Sequence, residues 1–239
     1  MPVPPFRLPL RALLLVAVIA AVVIGGIGAD HPSDYIVEHV LTAATIIGLL
    51  ALEWRDGGGG PLSNHAYLLI FAFLLLHVLG SHYTYSRVPY DEWARTIVGR
   101  DISSLVGSLS YEQSGQPRNH FDRLVHFCFG LLLTMPSADL LARWLGLDVK
   151  QRWKSVIAAV VLLCSLGAIY EIAEWLYAEV AGQEAAEHYN GQQGDAFDAH
   201  KDMALNLVGS VMATALMAVA ARLTMWFDSS SASARFTTR

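Results

Sequence analysis

Long uncharged stretches dominate this chain, and they constrain its fold more than any other feature. From Ala12 to Ala29 there is no ionisable residue at all. A helix that crosses about 30 Å of hydrocarbon needs roughly 20 mostly apolar residues. It must also pair every backbone polar group within itself, because the bilayer offers no water to do so. Six stretches approach that specification, at residues 12–29, 35–52, 66–82, 119–145, 155–177 and 198–226. Composition agrees: 54% of residues are hydrophobic and 15% charged, with mean hydropathy +0.41, against about 45–50% and about 25% in soluble domains. The expected fold is all-α: a polytopic helical bundle of about six transmembrane helices. It forms one domain over residues 1–228, and a Ser-rich tail at 229–239 is expected to be disordered. Arg7, Arg11 and the first apolar run also fit a secretory signal cleaved before Asp30, which would leave five spans. The run is long for a signal core, and Ile27 suits the usual small position poorly.

Lys and Arg in short loops stay preferentially on the cytoplasmic side. With both termini inside, ten of the 16 basic residues fall on that side, among them Arg143, Lys150, Arg152 and Lys154 in the short loop between the fourth and fifth spans. The flexible turn at Gly57 to Pro61 lies there too. The other side holds six basic and 16 acidic residues, including Arg87, Arg95, Arg100 and Glu112 in the long loop from Tyr83 to Arg118. A net charge of -5 and a sequence pI near 5.9 offer no basic footprint for nucleic acid. Cys128 and Cys164 lie in apolar stretches, too far apart for a disulfide framework.

The ionisable residues in these stretches are not scattered. Asn119, Asp122 and His126 follow at i, i+3 and i+7 and fall on one stripe of the fourth helix. Glu171 and Glu174 are an i, i+3 pair on the fifth. Asp198, Asp202, Asn206 and Gly209 line one face of the sixth, with Asp195 just before it. Because successive spans alternate direction, these stripes emerge at the same end of the bundle, the outer end on this orientation, together with Glu38 at the start of the second span and His77 and His82 near the end of the third. Clustered carboxylates and imidazoles in a membrane are costly unless paired, protonated or neutralised by a cation. Asp, Glu and His also supply the ligands that divalent metals take. The set Asp122, His126, Glu171, Glu174, Asp198 and Asp202 therefore reads as a candidate divalent-metal site. A hydrogen-bonded structural network and a proton or ion pathway are the competing readings. The turn from Gly191 through Gln192, Gln193 and Gly194 to Asp195 precedes a helix N-terminus, where an anion can be cradled, here through a metal bridge. The run from His82 to Tyr90 has the aromatic content of an interfacial belt. Arg118 and Arg123, flanking the start of the fourth helix, suit either the acids or a phosphate.

Four motifs, Gly80-Ser-His-Tyr-Thr-Tyr85, Asn119-His-Phe-Asp-Arg-Leu-Val-His126-Phe, Tyr170-Glu-Ile-Ala-Glu-Trp175 and Gly194-Asp-Ala-Phe-Asp-Ala-His-Lys-Asp-Met203, resemble the bacterial inner-membrane family typified by YjdF, a domain of unknown function. The resemblance covers roughly residues 35–222. It implies a multi-pass protein of a bacterial inner membrane and names no reaction. More distantly, Asp122, His126, Glu171, Asp202, Asn206 and Gly209 resemble the pattern of VanZ-like membrane proteins linked to glycopeptide tolerance. The chain lacks the Arg that usually follows the Glu-bearing helix there.

No multiple-histidine box, no repeated Glu-x-x-His pair and no Gly-x-Ser-x-Gly elbow is present. Asp195, Asp198 and Asp202 match the acidic half of the CDP-alcohol phosphotransferase signature, but the half that should precede it is missing. Two functions stay open. One is an integral membrane enzyme that hydrolyses or transfers a lipid or lipid-linked headgroup, with a carboxylate-held cation and Glu174 or His126 carrying the proton. The other is a non-catalytic protein that binds, senses or transports a cation or small headgroup. The partner expected in either case is membrane lipid.

Overall fold

The computed structural model describes residues 9–55, 62–103, 118–181 and 192–236. These form seven α-helices: α1 (Leu10–Gly25), α2 (Pro32–Arg55), α3 (Asn64–His82), α4 (Tyr90–Val98), α5 (Phe121–Trp144), α6 (Arg152–Ala181) and α7 (Asp198–Phe236). A short 3-10 turn, Val149–Gln151, leads into α6, and no strand occurs among the described residues. Gly57 to Pro61, Arg7, Glu112, Gly191 and residues 237–239 of the expected tail lie outside the described residues.

Five helices, α2, α3, α5, α6 and α7, are long and apolar enough to cross a membrane. Their exposed faces carry large apolar side chains such as Ile47, Val161, Ile169 and Leu216, as expected where lipid is the solvent. The first expected span is shortened. α1 has 16 residues, about 24 Å at 1.5 Å per residue, because the chain turns after Gly25 and reaches the left-handed region at Gly28, φ +73°. At the other end of the chain, α7 runs on to Phe236. The long loop also contains a helix. In α4, Tyr90, Trp93, Ala94, Ile97 and Val98 recur at the spacing of one helical face, opposite Asp91, Glu92 and Arg95, the pattern of a helix lying in a membrane interface.

α5 is the hub, packing most extensively on α7 and then on α6 and α3. The α5–α7 seam is close because both helices present glycine. A Cβ at Gly130 would lie 2.7 Å from Ser210 N and closer still to the Asn206 carbonyl oxygen; one at Gly209 would lie 2.9 Å from Leu131 N and would collide with the Phe127 carbonyl. Small residues let helix backbones approach in this way in membranes. α6 joins the pair through Asn206, whose Nδ2 donates to the Leu163 carbonyl at 2.9 Å across from Gly167.

Alanine is the better helix former, so Gly→Ala should stabilise a helix wherever space allows. At Gly48, where a Cβ meets nothing within 4 Å, Gly48→Ala should raise stability by about 0.5–1 kcal/mol. Gly130→Ala and Gly209→Ala should lower it by about 1–3 kcal/mol, the cost of overpacking. Thermal melting in detergent gives the sign of each change.

Candidate functional site

The glycine seam sets the height of the polar groups above it. One turn from Gly130 on α5 stands His126, and one further turn brings Asp122. One turn from Asn206 on α7 stands Asp202, and Asp198 follows another turn on. α6 brings Glu171 one turn from Gly167. His126 Nε2 consequently lies 3.3 Å from Glu171 Oε1 and 3.5 Å from Asp122 Oδ1. One ligand atom from each of Asp122, His126 and Asp202 falls within 4.8 Å of the others. Asp202 is 1% exposed, His126 8% and Glu171 9%, yet Asp202 Oδ1 has no hydrogen-bond partner and Glu171 Oε1 has none beyond the 3.3 Å approach of His126 Nε2. Glu174, half-buried on the same helix, interacts electrostatically with Asp122, Glu171 and Glu38. The acidic stripes of three helices thus converge on one buried centre.

A second tier, made of salt bridges, sits beside that centre. Arg118 Nη2 donates to Asp198 Oδ1 at 2.5 Å, and its Nη1 donates to the Gln192 carbonyl at 2.6 Å. Arg123 Nη2 donates to Asp195 Oδ2 at 2.5 Å and approaches Asp198 Oδ1 at 3.4 Å; Lys201 also reaches Asp195 Oδ2. Asp195 and Asp198, expected at the metal centre or its edge, are therefore held by guanidinium and ammonium groups instead. Burial alone would raise the Asp195 carboxyl, but Lys201, the Phe197 N–H and Arg123 hold it down to about 2. Gln193 exchanges two 2.9 Å hydrogen bonds with the Asn119 backbone, tying the start of α5 to the start of α7. Asn119 precedes α5 instead of lying on its stripe: its Oδ1 accepts from Phe121 N at 3.1 Å, and its Nδ2 donates to the Val88 carbonyl at 2.8 Å.

α2 and α3 contribute unequally. Glu38, buried, accepts from the Tyr170 hydroxyl at 3.0 and 3.2 Å on its two oxygens. The Tyr170 ring stands edge-on to His126 at 6.0 Å, so Glu38 is coupled to the centre through it. Sequence reasoning did not assign Tyr170 a role, although its i, i+4 spacing to Glu174 places both on one face. His77 stays on the α2–α3 side, its Nδ1 2.5 Å from the Tyr85 hydroxyl and its Nε2 3.2 Å from the Glu38 carbonyl. The Tyr85 phenol is buried, which raises it well above its usual range. That stretch of the expected aromatic belt is therefore partly core, with Val88 buried beside it. His82 does not reach the centre. Its Nδ1 is 2.6 Å from the Gly25 carbonyl, capping the end of α1.

The lowered Asp195 carboxyl makes a stability prediction. A carboxyl depressed by folding stabilises the protein above its unfolded value of about 3.9 and loses that contribution as pH falls through its folded value. The gap in melting temperature between wild type and Asp195→Asn should be constant above about pH 5 and close progressively toward pH 2. Melting curves across that range check it.

Comparison with known proteins places this architecture in a family. The chain is 29% identical over 193 residues to "Inner membrane protein YjdF" of Escherichia coli (strain K12), an alignment covering 81% of each chain. That relative's name carries the location expected from the sequence, a bacterial inner membrane. No solved structure matches. Residues 10–222 match the family described as "Predicted membrane protein (DUF2238)", and this multi-pass membrane protein, with its buried Asp122–His126–Asp202 centre, belongs to that family.

Proposed function

We propose that the protein holds one divalent cation among Asp122, His126 and Asp202, with Glu171 beside them, and uses it on a lipid or lipid-linked headgroup. The observation that carries this reading is the convergence of three ligand atoms within 4.8 Å in a place where Asp202 Oδ1 is buried without a hydrogen bond. Buried carboxylates without partners are expensive. Arg118 and Arg123 form their salt bridges with Asp198 and Asp195 beside the centre. A donor set of imidazole and carboxylate without thiolate suits zinc, manganese or ferrous iron better than a soft ion.

On this reading His126 and Glu174 take separate roles. His126 Nε2 is the atom that faces Asp122 and Glu171, so it acts as a ligand. Glu174 is then the proton carrier. In hydrolysis of a phosphoester it would take a proton from the attacking water as the new phosphorus–oxygen bond forms. It would return that proton to the departing lipid oxygen as the old bond breaks. On the orientation implied by the basic loops, this chemistry faces the outer leaflet. The Tyr170 hydroxyl positions Glu38 at the edge of the centre.

Elemental analysis of the chain purified without chelator should find about one divalent ion per molecule, lost in Asp202→Asn and His126→Ala. Chelation should lower the melting temperature of wild type and leave Asp202→Asn unmoved. An ion present at 100 times its dissociation constant stabilises by about 2.7 kcal/mol. A metal-free wild type indifferent to added zinc or manganese overturns the proposal. Glu174→Gln should keep the ion and lose turnover; unchanged turnover would remove Glu174 from the chemistry.

A further inference from the structure

Three oxygens on consecutive turns of α7 are enclosed in the bundle without a hydrogen bond: Asp202 Oδ1, Asn206 Oδ1 and Ser210 Oγ. Asp202 is 1% exposed, and Asn206 and Ser210 are fully buried. They form a column that starts at the centre and runs toward the middle of the membrane, along the side that α7 turns to α5 and α6. We propose that this column is a binding site for water, with one molecule bridging Asp202 to Asn206 and a second bridging Asn206 to Ser210, and that Asn206 thereby positions a water beside the centre. The proposal deepens the preceding reading and rests on it in one respect: Asp202 is there a ligand of the cation, so the first bridging water is the one next to the ion.

The chemistry of the three atoms selects the occupant. The Leu163 carbonyl can only accept, so the Asn206 amide must turn its nitrogen toward it, at 2.9 Å. The amide oxygen is thereby directed away from Leu163. That oxygen and the Asp202 carboxylate are both acceptors, and whatever satisfies the two must donate, which excludes an anion. Residues one turn apart are separated by about 6 Å along the helix axis, and two hydrogen bonds of about 2.8 Å to one water oxygen nearly close that gap. Ser210 departs from the pattern of its neighbours. Thr134, Ser165, Thr214 and Thr224 each donate to the carbonyl four residues back, at 2.7, 2.8, 2.9 and 3.0 Å. The corresponding carbonyl for Ser210 is that of Asn206, which lies against α5 where a Cβ on Gly130 would collide with it. The Ser210 hydroxyl makes no such bond, which leaves it available to the second water. The column is also closed on its flanks, since Gly130 on α5 and Leu163 and Gly167 on α6 are themselves buried. Neither bulk solvent nor lipid reaches the three oxygens, and the hydrocarbon around the bundle offers no partner. Buried water serves polar groups in such places, whereas interior cavities that stay dry are apolar.

The test uses the full chain in phosphatidylcholine nanodiscs, with isotope-labelled asparagine. The chain has four asparagines, and the Asn206 signal is the one missing from Asn206→Ser. In water-edited solid-state NMR, polarisation should pass from water to the Asn206 side-chain amide at a rate within a few-fold of that to exposed Asn64. Ser210→Ala should slow that transfer and lower the melting temperature by a few degrees while leaving the divalent ion in place. An Asn206 amide that receives no polarisation from water overturns the proposal. So does a higher melting temperature in Ser210→Ala, the result of removing a dry, unpaired hydroxyl. A melting temperature raised by sodium and not by potassium, and no longer so in Asn206→Ser, would mark a monovalent cation between the same oxygens and also overturn it. Hydration of Asn206 in a chain that carries no divalent ion overturns the reading of the centre and leaves the column standing; a bound ion with a dry Asn206 does the reverse.

Discussion

Gly130 on α5 and Gly209 on α7 each face the other helix's backbone at a separation that admits no side chain. The geometry of the polar centre depends on that closeness. Two helices held this near each other present their next inward residues, one and two turns on, within ligand distance. Asp122 and His126 therefore meet Asp202 instead of facing it across a cleft. Asn206 extends the same constraint to α6 by donating to the Leu163 carbonyl, and Glu171 is brought against His126 as a result. In a membrane, where apolar side chains gain little by leaving lipid for each other, such backbone contact and buried hydrogen bonding are the main sources of helix association.

Charge is divided between two tiers by helix geometry. The inner tier joins half-buried Asp122 to buried His126, Asp202 and Glu171, and Asp202 Oδ1 there has no hydrogen bond. The neighbouring tier pairs Arg118 and Arg123 with Asp198 and Asp195 and draws in Lys201. Together they put an acidic centre beside a tier of paired charges.

How far the site was legible depends on whether its partners share a helix. The stripe Asp198, Asp202, Asn206 and Gly209 was readable because its spacing follows one helical face, and the structure buries that face. Asn119 was misplaced because the same arithmetic holds only inside a helix, and the helix starts at Phe121. Tyr170 carried a local signal in its spacing to Glu174, but its role depends on Glu38, 132 positions away in the chain. The pairing of Arg123 with Asp195 and of Arg118 with Asp198 was one of two uses consistent with the sequence. Only the docking of α5 on α7 chose between them.

The sequence by itself determined that the chain is a membrane bundle, roughly where its spans lie, and that its ionisable residues gather at one end. Apolar length, helical periodicity and alternation of direction are local or additive properties, and they can be counted along a chain. The length of the first helix depended on a glycine turn whose left-handed backbone the apolar run conceals. Which carboxylates form the centre and which are neutralised was decided by tertiary structure alone. That outcome turns on a few ångströms of interhelical distance, and the distance follows from which glycines face one another across the seam.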